Sequence, residues 1–224
     1  MLLIALNSCT SLVYSPAIHL PKQKLEKSQI ELAGGVEYLA ETRPGIPFMQ
    51  EDYQSLSLGF SGQIGYGLTN HVSVSGRGWL ESGKPDLEHR YGYSVSLLIN
   101  KEITPTGSLY FMPKVGMVHY GSELLGYGAG FSLLYQHQLG KNISFYSGAG
   151  MIWGFALNSE RRAPAAFNNN PQNGIGYHFN NGIAWQFWRD VRLNVEIIPT
   201  IQLSNYDAQS YFLLPCSIGL GYTF

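Results

Sequence analysis

Leu56-Ser-Leu-Gly-Phe-Ser-Gly-Gln-Ile-Gly-Tyr-Gly-Leu68 alternates without a break. Leu56, Leu58, Phe60, Gly62, Ile64, Tyr66 and Leu68 form one set, and Ser57, Gly59, Ser61, Gln63, Gly65 and Gly67 the other. Successive side chains of a strand point to opposite faces, so a period of two predicts a strand with one oily and one small or polar face. A helix, with its period of about 3.6, would scatter both sets around its circumference.

The same pattern extends through the rest of the chain. Upstream, Ile30, Leu32, Gly34, Val36 and Tyr38 oppose Glu31, Ala33, Gly35 and Glu37. Downstream, further segments fall at Val72–Leu80, Tyr91–Ile99, Leu109–Met117, Tyr127–His137, Ile143–Phe155, Ile175–Phe187, Val191–Leu203 and Phe212–Phe224. That makes ten strands. Asn70-His71, Gly140-Lys141-Asn142 and Arg189-Asp190 are tight turns and Lys101–Gly107 a slightly longer one, whereas Glu41–Gln54, Glu81–Arg90, Gly121–Gly126, Asn158–Gly174 and Ser204–Tyr211 are long and polar. Alternating short and long connections predict an all-β, up-and-down antiparallel barrel with one smooth and one looped rim. An even strand number places both chain ends at the smooth rim.

Composition decides what the barrel sits in. Of the 224 residues 45% are hydrophobic but only 13% are charged, against about 25% in an ordinary soluble domain. The polar face is mostly Gly, Ser, Asn and Gln, too bland to coat a soluble protein, so the oily face is expected outside, against lipid. Tyr38, Tyr66, Tyr91, Tyr127, Tyr177, Trp185, Tyr222 and Phe224 fall near segment ends, where a membrane barrel carries amphipathic rings at headgroup depth. A helical span needs about twenty consecutive apolar residues, and the longest run is Met1 to Leu6. Fourteen basic and fifteen acidic residues give a net charge of −1, with no basic surface to collect nucleic-acid phosphates. The expected partners are outer-membrane lipids.

Both chain ends carry signals. Ile218-Gly-Leu220-Gly-Tyr222-Thr-Phe224 alternates and stops on an aromatic, and it resembles the C-terminal strand signature of bacterial outer-membrane barrels, which implies handling by the outer-membrane assembly machinery. Met1-Leu-Leu-Ile-Ala-Leu-Asn-Ser-Cys9 is apolar, then small or polar, then Cys. It resembles the end of a bacterial lipoprotein signal peptide, with Cys9 as the lipidated residue. With Ile64–Val74, these features give the chain a likeness to the small outer-membrane β-barrel lipoproteins of Bacteroidota, a likeness that implies location and architecture and no reaction. The expected organisation is a signal peptide at 1–8, a Pro- and Lys-containing periplasmic tether at 9–28, and the barrel at 29–224. Pro113, Pro199 and Pro215 fall within strands, where each removes a ladder donor and is expected to mark a bulge.

Catalytic signals are weak. Gln202-Leu-Ser204-Asn205 is similar to the His-x-Ser-Asn motif of lipid A deacylases, but Gln202 stands where the general base belongs, and an amide cannot take the proton from Ser204. Ten-stranded omptin proteases offer a second comparison, through Asp86 and His89 with Glu51, Asp52, Glu123 and Asp207 in the long connections; no motif ties these together. The six His lack metal-ligand spacing, so no metal and no cofactor is expected. His119 and His178 read as single rim or lumen residues. The connection Asn158–Gly174 joins Arg161-Arg162 to Phe167 and an Asn run, a surface suited to a protein or glycan partner. On the inner face Glu37, Arg77, Lys114 and Glu196 come at similar mid-heights, two of each sign, with Glu31 and Arg192 lower. Together with Gln63, Gln136 and Tyr110 they are expected to fill a narrow lumen. The function expected is structural or interactive and non-enzymatic, with a surface-facing hydrolase or a narrow pore as alternatives.

Overall fold

A computed structural model describes residues 25–42, 55–82, 90–120, 123–156, 172–204 and 210–224. All the regular structure among them is strand: β1 (Ile30–Thr42), β2 (Ser55–Gly67), β3 (Val72–Ser82), β4 (Arg90–Thr104), β5 (Gly107–Tyr120), β6 (Glu123–Gln138), β7 (Ile143–Ala156), β8 (Gln172–Gln186), β9 (Val191–Ile197), β10 (Thr200–Ser204) and β11 (Ser210–Thr223). Each pairs antiparallel with its neighbour in sequence except β9 and β10, which lie end to end between β8 and β11, and β1 pairs with β11, from Glu31↔Thr223 to Thr42↔Phe212. The sheet is therefore closed and has no edge.

β9 and β10 are two lengths of one stave, so the barrel has ten. Both pair with β8 on one side and β11 on the other, and the register runs through the gap at Ile198-Pro199 unchanged. Pro199 lacks the N–H that the ladder needs, while its carbonyl still accepts from Phe179 N at 2.9 Å. The expectation of proline bulges is thus corrected. Pro215 stays in register with Leu39, and Pro113 with Phe131, so each proline costs a bond and leaves the alignment alone. The register shifts lie elsewhere, between Glu102 and Thr104 and between Val118 and His119. The turn expected over Lys101–Gly107 is also shorter, because pairing continues through Lys101 and Glu102 and leaves Pro105-Thr106 as the loop.

Pleating sorts the side chains as the alternation predicts. Phe60 is 51% exposed and Ser61 beside it 8%. Tyr38, Tyr127, Tyr177 and Trp153 mark the outer skin toward the looped rim, and Tyr66, Trp185, Phe187, Tyr222 and Phe224 mark it toward the smooth rim. Buried Leu98, Tyr110, Met112, Leu134, Tyr146 and Ala184 form an apolar cluster inside, in the half of the lumen nearer the smooth rim. A closed sheet whose staves all pair on both sides, with an oily exterior, satisfies the two demands of a bilayer core.

Candidate functional site in the barrel lumen

The inner face brings charges together in pairs. Arg77 of β3 forms an ion pair with Glu37 of β1, crossing over β2, and donates to Ser61 Oγ at 3.2 Å. Nearer the smooth rim Arg192 of β9 pairs with Glu31 of β1 across β11, and its Nε donates to Asn194 Oδ1 at 3.0 Å. Glu196 accepts from the Tyr146 hydroxyl and, at 3.1 Å, from Ser217 Oγ. Lys114 is buried within electrostatic range of Glu196 and Arg77. Charges inside a barrel of this width must be matched, since an unmatched one costs several kcal/mol.

Glycines make these crossings feasible. Tyr146 and Glu196 are separated by β8, where Gly182 is the register partner of both. A Cβ at Gly182 would collide with the Tyr146 ring, so only glycine lets the ring lie flat across that strand. Gly150 does the same between Ser132 and His178, whose Oγ and Nε2 share a hydrogen bond of 2.9 Å. Gln136 Nε2 donates to Ser144 Oγ at 2.8 Å in the same half of the lumen as buried Tyr110.

The smooth-rim mouth is occupied from within the chain. Leu25, 2% exposed, sits against Gly65 beside the Cβ of Glu31. It closes a recess of about 10 Å³ that it shares with Gln63, Ser73, Ser75, Leu98 and Met112. Ser28 N donates to Gly67 O at 2.8 Å and Lys27 N to Asn70 Oδ1 at 3.2 Å, with Ser28 at φ 68° to make the turn. The last residues of the stretch expected to be tether, 25–28, are therefore packed on the barrel.

Sequence reasoning missed Tyr146, Ser132 and Leu25 as lumen residues. The signal for the first two was available, a large or polar inner residue facing an inner glycine. His178 is buried in the lumen, whereas His119 is on the outer face near the looped rim, stacked on Tyr91 with ring centroids 5.1 Å apart and sharing a 3.0 Å hydrogen bond with the Tyr93 hydroxyl. Ile218, Leu220, Tyr222 and Phe224 project outward. Cys9, Glu51, Asp52, Asp86, His89, Arg161, Arg162, Phe167, Asn205 and Asp207 lie outside the described residues. Among the described residues no group of three or more His, Cys, Asp or Glu is placed to hold a metal.

No family model and no curated protein matches the sequence. Several solved structures do. Neisserial surface protein A shares 12% identity at a TM-score of 0.45, over 87% of this chain and 97% of its own. The outer membrane protease OmpT from Escherichia coli shares 8% at 0.48, over 88% and 97%. The outer membrane protein OprG from Pseudomonas aeruginosa shares 11% at 0.39, over 90% and 98%. The chain is similar to these in the path of its backbone.

Proposed function

We propose that this chain is a bacterial outer-membrane β-barrel, anchored in addition by acylation of Cys9, whose lumen is sealed and whose role is structural or interactive, not enzymatic. The observation that carries the reading is the combination of an oily skin with an interior in which Glu31 and Glu37 pair with Arg192 and Arg77 and an apolar cluster around Tyr110, Leu134 and Tyr146 packs the half nearer the smooth rim. Contacts with other molecules then belong to the rims and the skin. The loop bearing Arg161, Arg162 and Phe167 offers charge, amides and an aromatic to a protein or glycan, and the strand ending in Phe224 engages the assembly machinery.

One preparation tests both halves. Purified full-length protein in planar bilayers should show no steady conductance, and cells fed a palmitate analogue should label the wild type but not Cys9→Ser. Sustained open-channel current overturns the sealed lumen in favour of a narrow pore, and equal labelling of both proteins overturns the lipid anchor.

A further inference from the structure

Between the two aromatic belts, the outward strand positions among the described residues are apolar or glycine, with Cys216, Ser147 and Asn181 as exceptions. Ser147 and Asn181 are register partners on β7 and β8. Asn181 lies midway along β8 between Tyr177 and Trp185, which mark the two belts, so its carboxamide faces the skin at the centre of the oily band. The neighbouring outward residues Phe145, Phe179, Ile183 and Ile197 are exposed and apolar.

A carboxamide has one acceptor oxygen and two N–H donors. Ser147 Oγ donates to Asn181 Oδ1 at 2.8 Å, and that uses one end. Exchanging the oxygen and nitrogen of the amide leaves the same deficit, one end bonded and one end bare. Water meets such a need on a soluble protein. Lipid tails offer neither donor nor acceptor, and lipid ester and phosphate groups lie at headgroup depth, away from Asn181. Polar groups at this depth are held by other protein, and small residues beside them let backbones approach closely. Ser147 and the outward-facing Ala149 are such residues.

We propose that the Ser147–Asn181 notch is the centre of a contact between two copies of this chain, packed side by side in the membrane. An amide complements itself, so two Asn181 side chains related by a two-fold axis can each donate to the other, and a two-fold contact uses the same patch on both partners. The proposal rests on the membrane-spanning reading, and the test separates the two.

In a Cys216→Ser background, Ala149→Cys puts a thiol beside the notch and Val95→Cys puts one on β4, away from β7 and β8. After oxidation of the full-length protein in native membranes, Ala149→Cys should give at least tenfold more disulfide-linked dimer than Val95→Cys. Adding Asn181→Leu should cut it to the Val95→Cys level, and Asn181→Gln should retain most of it. Equal cross-linking at the two sites, no effect of Asn181→Leu, or cross-linking to a protein of different mass overturns the proposal. Alkaline extraction of the same membranes scores the other reading: release of the wild-type chain into the soluble fraction would remove the membrane span itself, whatever the cross-links show.

Discussion

Arg77 shows what alternation reveals at the scale of one residue and what it hides. Its position in the pattern puts it on the inner face, and so does that of Glu37. Opposite signs at similar mid-heights put both in one lumen network, but which partner each takes was beyond the sequence, because Arg77 is the register partner of Gln63 and Gln63 that of Ala33, while the guanidinium reaches past them to Glu37 further up β1. Such diagonal reach depends on stagger between staves, which a one-dimensional pattern does not contain. Tyr146 and Glu196 instead meet straight across Gly182, the register partner of both. Arg77→Ala would leave Glu37 in the lumen without its cation, at a cost of about 3–5 kcal/mol. Lys101→Ala, at an exposed position near the smooth rim, should cost under about 0.5 kcal/mol. Urea unfolding in lipid vesicles compares them: Arg77→Ala should unfold at clearly lower urea, and coincident midpoints would mean that the pair contributes nothing.

At the scale of an element, β11 carries the most information per residue. It pairs on both sides, with β1 and with β9–β10. Phe224 N donates to Ile30 O at 2.8 Å, and its ring meets that of Tyr222 edge-on with centroids 4.6 Å apart. The terminal aromatic thus holds the closing seam at the smooth rim. Deleting Phe224 should lower the amount of assembled protein in the membrane several-fold, whereas Ser94→Ala on the inner face of β4 should leave it near wild type. Equal assembly of the two variants, scored by membrane fractionation, would reduce Phe224 to an incidental end. Strand positions were legible because the two-residue period persists through ten staves. The effect of the prolines was not, because whether a missing N–H bends a strand or only leaves a bond unmade is decided by the neighbours. Pro199 is held in line by β8 and β11 on either side.

At the scale of the molecule, closure governs behaviour. A sheet with no free edge gives detergent no place to begin, so the purified protein should migrate as a compact band when unheated and shift on boiling. An unshifted band, or a helical circular-dichroism spectrum in detergent, would contradict the barrel. Closure itself was legible from the even count and the alternating connections. Leu25 in the mouth was not, since nothing in the Pro- and Lys-containing stretch before it has a period. The seam between β1 and β11 also bears on how the barrel is made. It joins the first and last staves, so it is the pairing of greatest sequence separation in the fold, and its loop-closure entropy is met only after the intervening hairpins have formed. Until then both staves expose bare hydrogen-bonding edges, and the same unmade pairing that completes one barrel could splice two nascent chains together. Delivery of β11 last, with its aromatic end ready to register on Ile30, sets the window in which that error can occur.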